Sequence, residues 1–156
     1  MQDREERRLI VVSNRLPVVV KKGVKNRYEL SQAAGGLVTA MTPVLKRDGG
    51  VWIGWAGNFL EENIDVEELL RQETEGLNYR YRSVDISLKD YELYYKGFSN
   101  EVLWPLFHNV SVYCNFAQEY YKAFEKGENI FFHILFGASR NALVFFCNAC
   151  NLAFSG

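Results

Sequence analysis

The chain has 156 residues, of which 48% are hydrophobic and 15% aromatic, enough for one domain with a buried core. Its 18 Lys and Arg residues nearly balance its 19 Asp and Glu residues, so the formal net charge is −1. This balance excludes a broad basic surface for nucleic acid or an anionic membrane, and we expect any phosphate binding to be local.

The charged residues are unevenly distributed along the chain. From Asn129 to Gly156 only Arg140 is charged, and all other charged residues lie in the first 128. Polar residues interrupt this apolar C-terminal segment, so none of its apolar runs reaches the roughly 18 continuous apolar residues of a membrane span. Six of the first eight residues are charged, and the segment lacks the features of a secretory signal, so we predict a cytoplasmic protein.

The three cysteines predict neither a disulfide framework nor a metal site. Cys147 and Cys150 form a lone C-x-x-C, and Cys114 lies well before them. An odd number of cysteines without a signal argues against disulfides, and no second pair completes a tetrahedral metal site. We interpret Cys147 and Cys150 as small apolar residues.

Predicted strands alternate with predicted helices along most of the chain. Short β-branched or alternating runs indicate strands, and apolar residues three and four positions apart indicate helices. In chain order we predict a strand at 8–14, a hairpin of 18–22 and 28–30, a helix at 37–45, a strand at 51–55, a helix at 61–75, a strand at 79–84, a helix beginning at 87–90, a helix at 116–126 and a strand at 130–136. This alternation favours an α/β fold with a mostly parallel sheet and helices on both faces.

Two of the predicted helices contain features that need an explanation. Pro43 either kinks the first helix or begins a restarted helix capped by Thr42. After Ser87, the helical spacing of Tyr91, Tyr94 and Tyr95 places the three rings on about one face. That spacing fits both an aromatic site and a plain aromatic core stripe.

Arg15 and the Gly35–Gly36 pair are candidates for phosphate binding. Ligands of open α/β sheets bind beyond the carboxyl ends of the strands, and Arg15 follows the first predicted strand directly. A guanidinium there can bind a phosphate bidentately, although a plain surface arginine fits equally well. Gly35 and Gly36 precede a helix and allow a diphosphate to approach the backbone, although a tight turn is the simpler interpretation.

Several aromatic side chains could accompany a phosphate site. Trp52 and Trp55 lie in and at the end of a predicted strand, Tyr94 and Tyr95 in the predicted helix after Ser87, and Trp104 in a predicted loop. Aromatic faces stack on the C–H surfaces of sugars, while indole and phenol groups bond sugar hydroxyls, so the combination points to a sugar phosphate. Core packing explains Trp52 equally well.

Five motifs in order resemble the N-terminal part of the trehalose-6-phosphate synthase family. They are VVSNRLP at 11–17, AGGL at 34–37, VWIGW at 51–55, YY at 94–95 followed by FSN at 98–100, and LWPLFH at 103–108. The resemblance is dense over residues 8–108 and weaker to about 136. It implies the N-terminal, Rossmann-like lobe of a two-lobed GT-B glycosyltransferase that retains configuration and transfers glucose from UDP-glucose to glucose 6-phosphate.

The resemblance also implies roles for individual residues. Arg15 is similar to the arginine that holds the phosphate of glucose 6-phosphate, Tyr95 and Trp104 resemble aromatic residues that hold the same acceptor, and Trp55 is expected to line that pocket. Gly35 and Gly36 look like the glycine loop against the nucleotide-sugar donor. The family implies neither a metal nor a cofactor.

The sequence departs from the family pattern after His108. The family continues to a strand that ends in His-Asp-Tyr-His, whose aspartate contacts the acceptor sugar, but here Ile134, Leu135 and Phe136 follow His133. His133 is either the family histidine or a satisfied core or strand histidine. We therefore assign no catalytic residue in this chain.

These departures lead to an expected domain organisation. Residues 1–136 are expected to form a truncated acceptor-side domain, residues 137–156 an unfamiliar apolar tail, and the C-terminal donor-binding domain is expected to be absent. A shifted reading frame near residues 109–136 would explain the change in composition. An apolar tail without its partner domain favours self-association, so a homo-oligomer is expected.

Three functions remain open from the sequence. The first is a trehalose-phosphate synthase-like transferase whose 156-residue part is inactive alone. The second is a related transferase with another acceptor, such as glycerol 3-phosphate in glucosylglycerol-phosphate synthesis. The third is a non-catalytic sugar-phosphate sensor or regulatory subunit.

Overall fold

The computed structural model describes residues 8–23, 27–57, 64–136 and 142–147. Its strands are β1 (Arg8–Arg15), β2 (Val18–Lys22), β3 (Tyr28–Gln32), β4 (Gly50–Trp55), β5 (Tyr79–Ser83) and β6 (Ala142–Cys147). Its α-helices are α1 (Gly36–Asp48), α2 (Val66–Glu73), α3 (Leu88–Asp90), α4 (Trp104–Phe107) and α5 (Gln118–Phe136). A π-helix, Tyr91–Leu103, joins α3 to α4, and a short 3-10 helix spans Ser111–Tyr113.

Four parallel strands form the central sheet in the order β5-β4-β1-β6. Strands β2 and β3 form a separate antiparallel hairpin, as predicted. Because the four sheet strands are parallel, their carboxyl ends lie along one edge. That edge carries Arg15 at the end of β1 and Trp55 at the end of β4.

The two faces of the sheet are covered by different elements. Alternate residues of β1 point to opposite faces: Leu9 and Val11 belong to one buried cluster, and Ile10 and Val12 to another. The first cluster includes residues of the hairpin, α1 and α2. The second includes residues of the π-helix and α5. The predicted parallel sheet with helices on both faces is confirmed.

Local sequence signals explain where several helices begin. The Asp65 side chain accepts a hydrogen bond from the Glu68 backbone N–H and caps α2. The Ser87 hydroxyl caps α3 in the same way by accepting from the Asp90 N–H, as the serine spacing predicted. Helix α1 runs unbroken through Pro43, which excludes a restart at Thr42.

The predicted strand at 130–136 is wrong. These residues form the last two turns of α5, and the strand beside β1 is β6, at 142–147. A short apolar run such as Ile130–Phe136 does not distinguish a strand from a helix by periodicity alone, and here it continues an existing helix. Strand β6 lies beyond residue 136, so the sheet includes part of the segment predicted to be a tail. No helix in the described ranges is long and apolar enough to cross a membrane.

Candidate functional site

The carboxyl end of β1 departs from regular strand pairing. Val12 pairs with Ile53, but the next pair joins Arg15 to Trp55, so three steps along β1 match two along β4. This bulge places Arg15 on the same side of the sheet as Trp55. Regular pairing resumes where the Leu16 N–H donates to the Trp55 carbonyl at 2.9 Å.

Arg15 lies among aromatic groups at this edge. Its guanidinium carbon is 5.8 Å from the centroid of the Trp55 ring, within the range of a cation–π contact. The guanidinium also hydrogen-bonds the hydroxyl of Tyr95. The structure therefore brings together three of the residues predicted to bind the acceptor.

Tyr91 joins the other two aromatic residues into one ring cluster, in which it is stacked on Tyr95 and tilted by 46° against Trp55. Its ring centroid is 4.5 Å from that of Trp55 and 5.3 Å from that of Tyr95. Lys96 Nζ lies 5.5 Å from the centre of the Tyr91 ring. The ring cluster orients both Trp55 and Tyr95 relative to Arg15.

The surroundings of Tyr95 raise the pKa of its phenol above the ordinary value. Burial is the main cause that raises the pKa of Tyr95, and neighbouring Tyr91 raises it further, while Arg15 acts in the opposite direction without outweighing burial. The hydroxyl of Tyr95 is therefore available as a hydrogen-bond donor or acceptor at neutral pH.

The Gly35–Gly36 pair stands at the beginning of α1. The Ala33 N–H donates to the Pro17 carbonyl at 2.8 Å, which holds this segment near the end of β1. A Cβ atom built on either glycine would meet no atom within 4 Å. The packing of this chain thus does not require glycine at these positions.

Trp104 and His108 form a separate aromatic pair in and after α4. Their ring centroids are 4.2 Å apart with an interplanar angle of 21°, so the two rings are stacked. Trp104 is 36% exposed, so part of its side chain is accessible to a ligand. No described contact joins Trp104 to the Arg15 cluster.

Three other predicted residues lie in the core or outside any strand. Trp52 and Tyr94 are each 1% exposed, which confirms the core interpretation of Trp52. His133 lies in α5 and not at a strand end, so the strand interpretation of this histidine is wrong. The Cys147–Cys150 motif extends beyond the described residues. Among the described residues, no cluster of His, Cys, Asp or Glu could hold a metal ion.

Three residues of the site were not selected from the sequence. Tyr91 was noted only for its spacing, Ser13 only as part of a motif, and Gly57 not at all. The separation of Tyr91 from Tyr95 by one helical turn was a usable signal for the stack. Gly57 has a φ of 89°, and a Cβ there would lie 3.2 Å from Arg15 Nη2, a contact that no local pattern reveals.

Comparison with known proteins assigns the chain to a family. The model of glycosyltransferase family 20 matches residues 7–146. The chain belongs to glycosyltransferase family 20. The match extends into β6, beyond the limit of about 136 at which the family resemblance was expected to fade.

Relatives in this family are trehalose-phosphate synthases. The chain is 36% identical over 130 residues to alpha,alpha-trehalose-phosphate synthase [UDP-forming] 1 of Aspergillus niger, covering 81% of this chain and 24% of that protein. It is 38% identical over 114 residues to the trehalose-6-phosphate synthase of Mycobacterium ulcerans, covering 72% of this chain and 22% of that protein. The chain thus spans about a quarter of the length of these family members.

Solved structures of the family share the fold. The UDP-forming synthase of Burkholderia vietnamiensis superposes with a TM-score of 0.64 at 29% identity, over 90% of this chain and 27% of that one. A synthase of Burkholderia xenovorans in complex with glucose-6-phosphate gives a TM-score of 0.64 at 26% identity, over 89% of this chain and 27% of that one. The described fold is therefore that of the corresponding part of GT-B trehalose-phosphate synthases.

Proposed function

We propose that this chain is the acceptor-binding part of a UDP-forming trehalose-phosphate synthase and that it binds glucose 6-phosphate at the edge formed by β1 and β4. The observation that carries the proposal is the convergence of Arg15, Trp55 and Tyr95 at the carboxyl ends of parallel strands. Family membership and the Burkholderia xenovorans complex with glucose-6-phosphate support the same ligand.

Each residue contributes a distinct contact to the acceptor. Arg15 donates hydrogen bonds to the phosphate, because a guanidinium matches the geometry of two phosphate oxygens. Trp55 orients the guanidinium from one face, and Tyr95 offers its hydroxyl to the phosphate or to a sugar hydroxyl. Trp104, with one face covered by His108, offers the other to the C–H surface of the sugar.

The start of α1 is proposed to approach the nucleotide sugar. Gly35 and Gly36 leave open space where side chains would otherwise project, and α1 is 13 residues long. Backbone N–H groups and the positive end of the helix dipole favour an anion such as the diphosphate of UDP-glucose.

The proposed reaction transfers a glucosyl group. The bond between glucose and the UDP oxygen breaks, and a bond forms to the anomeric hydroxyl oxygen of glucose 6-phosphate with configuration retained. The products are trehalose 6-phosphate, UDP and a proton. A polypeptide of these 156 residues is expected not to perform this transfer, because the reaction needs donor and acceptor held together and stabilisation of the departing diphosphate.

Titration calorimetry of the 156-residue chain with glucose 6-phosphate tests the acceptor proposal. We expect measurable binding that Arg15→Ala abolishes, and much weaker binding of unphosphorylated glucose. Arg47→Ala is the matched control, because Arg47 is exposed in α1 and pairs with Asp48. Absence of wild-type binding at millimolar glucose 6-phosphate would contradict the proposal.

A regulatory, non-catalytic role is the second candidate function. It is favoured by the residues that replace the family's His-Asp-Tyr-His, which lie in helix α5 here. Both functions predict glucose 6-phosphate binding, but only the transferase predicts that a complete protein containing this chain releases UDP from UDP-glucose. A transferase that uses glycerol 3-phosphate instead of glucose 6-phosphate is distinguished by competition binding of these two phosphates. The cytoplasmic location and self-association stay predictions.

A further inference from the structure

We propose that Ser13 is a positioning residue for Arg15: its hydroxyl accepts a hydrogen bond from Trp52, donates one to the Arg15 carbonyl, and thereby closes the β1 bulge that turns Arg15 toward Tyr95. This inference rests on the proposed function of Arg15 as the phosphate ligand. It assigns the orientation of that ligand to a buried hydroxyl that does not contact the substrate.

Both hydrogen bonds of the relay are short; the one between Trp52 and Ser13 is buried, and the one between Ser13 and the Arg15 carbonyl is partly buried. Trp52 Nε1 donates to Ser13 Oγ at 2.8 Å, and Ser13 Oγ donates to the Arg15 carbonyl oxygen at 2.6 Å. Ser13 is 0% exposed and Trp52 is 1% exposed. A group that accepts one hydrogen bond and donates another is required between them, and a hydroxyl is the smallest side chain that does both.

Strand alternation shows what the bulge changes. In a regular strand, Ser13 and Arg15 would both point to the face of Leu9 and Val11, where Trp52 also packs. Ser13 follows this rule, because it bonds Trp52. Arg15 does not follow it.

Arg15 instead points to the opposite face of the sheet. It pairs with Trp55 and hydrogen-bonds Tyr95, which belongs to the cluster of Ile10 and Val12. One extra residue in β1 moves a side chain from one face to the other. Without the bulge, the guanidinium would lie on the far side of the sheet from Tyr95.

The neighbouring strand is adapted to the bulge. A Cβ atom on Gly54 would lie 2.9 Å from each of three backbone atoms of β1 and the residue after it: the Arg15 carbonyl carbon, the Leu16 nitrogen and the Ser13 carbonyl oxygen. The backbone of β1 therefore passes directly over Gly54, at a distance that only glycine permits. The missing side chain at Gly54 leaves space for the bulge, and the two hydrogen bonds of Ser13 fix the backbone conformation of the bulge.

The experiment compares Ser13 variants in the 156-residue chain. Ser13→Ala removes both hydrogen bonds, and we expect glucose 6-phosphate affinity to fall about tenfold. Ser13→Thr and Ser13→Val form a matched pair, because both add the same bulk and only the threonine keeps the hydroxyl. We expect the valine variant to bind at least several-fold more weakly than the threonine variant.

Thr74→Val controls for a general loss of stability. The Thr74 hydroxyl is also buried and donates to the Leu70 carbonyl at 3.0 Å, but it lies at the end of α2. We expect this variant to lose stability as the Ser13 variants do and to bind glucose 6-phosphate as the wild type does. Affinity losses of similar size in both would assign the Ser13 effect to stability and overturn the proposal.

Nuclear magnetic resonance without ligand separates this inference from the proposed function. The Arg15 Nε–H signal senses the ring of Trp55, so we expect it to shift in Ser13→Ala and not in Thr74→Val. If the wild type binds no glucose 6-phosphate, the proposed function fails while this comparison still tests the positioning. Unchanged Arg15 signals in Ser13→Ala overturn it, and if that variant does not fold, the threonine–valine pair decides.

Discussion

Arg15 lies opposite Trp55 across the β1–β4 pair, with its guanidinium carbon 5.8 Å from the centre of the indole ring. The guanidinium lies over the indole ring, and its N–H groups lie in its own plane. Such a cation is oriented before a ligand arrives, so less conformational entropy is lost when an anion binds. The contact between Arg15 and Trp55 therefore contributes more to anion binding than to the stability of the fold.

The geometry of this contact predicts that charge alone does not replace Arg15. In Arg15→Lys the positive charge remains, but the planar fork and the stacking on Trp55 are lost. We expect glucose 6-phosphate affinity to fall by about one to two orders of magnitude, measured by calorimetry. Wild-type affinity in the lysine variant would show that a point charge is sufficient.

Gly57 is predicted to be essential for the position of Arg15. In Gly57→Ala the new methyl group would meet Val19 Cγ1 at 2.8 Å and Arg15 Nη2 at 3.2 Å, at a φ of 89°. We expect loss of glucose 6-phosphate binding together with a destabilisation of about 1–2 kcal/mol or more from the backbone strain and the close contacts.

Gly76→Ala is the matched control for that prediction. Gly76 has a similar φ of 76°, but a Cβ there meets nothing within 4 Å. Its alanine variant should show the backbone strain in thermal denaturation while glucose 6-phosphate binding stays at the wild-type level. Equal binding by both alanine variants would contradict the role of Gly57.

Gly36 is predicted to be needed for the donor and not for folding. Because Gly36→Ala adds a methyl group in open space at a helical position, we expect stability to be unchanged or slightly higher. In a protein that contains both this chain and a donor-binding domain, we expect UDP-glucose binding to weaken severalfold, since the methyl group stands where the diphosphate is proposed to approach. Fluorescence titration with UDP-glucose and a thermal melt check the two halves of this prediction.

Gly49→Ala should give the opposite pattern to Gly36→Ala. Gly49 follows α1 with a φ of 75°, and a Cβ there would lie 2.9 Å from the Asn78 carbonyl oxygen. We expect a clear loss of stability with unchanged UDP-glucose affinity in the protein that remains folded. If Gly36→Ala behaved in the same way, Gly36 would be a structural turn.

Asp90 is predicted to make the packing of α5 depend on pH. Lys126 Nζ lies 2.8 and 2.7 Å from the two carboxylate oxygens of Asp90, and the Ser87 hydroxyl donates to the same group. Burial opposes ionisation of Asp90, but the hydrogen bonds and the positive charge of Lys126 outweigh it, so the pKa of Asp90 lies below its ordinary value. A lowered folded pKa means that the ionised carboxylate stabilises the fold.

This stabilisation is present above the ordinary pKa of an aspartate, about 4, and is lost as the pH falls through the lower folded value. We expect Asp90→Asn to reduce the free energy of unfolding at pH 7 by about 1 kcal/mol. The difference from the wild type should disappear at low pH. Urea denaturation at several pH values measures it, and a difference that does not change with pH would contradict the assignment.

The fold was largely predictable because its signals are local. The β-branched run of β1, the spacing around Ser87 and the acidic helix α2 each depend on residues close in sequence, and all three were recognised. The error at 130–136 arose where a short apolar run allows both structures. The run is helical because it continues α5, which begins at Gln118, and this continuation is visible only in the structure.

The candidate site was predictable in its members but not in its geometry. Arg15, Trp55 and Tyr95 were identified through motifs and through a family resemblance, and the structure brings them together. Trp104 was identified in the same way, but it pairs with His108. The roles of these residues toward a ligand stay predictions.

The amino-acid sequence determines the alternation of strands and helices, the buried faces and the residue types at the end of β1, because each follows from propensity and periodicity over a few residues. The face to which Arg15 points is decided only in the tertiary structure. It depends on a one-residue bulge that requires Ser13 to meet Trp52, 39 positions along the chain, and the backbone to pass over Gly54. Because strand alternation by itself predicts the opposite face, that orientation follows only once both strands are packed side by side.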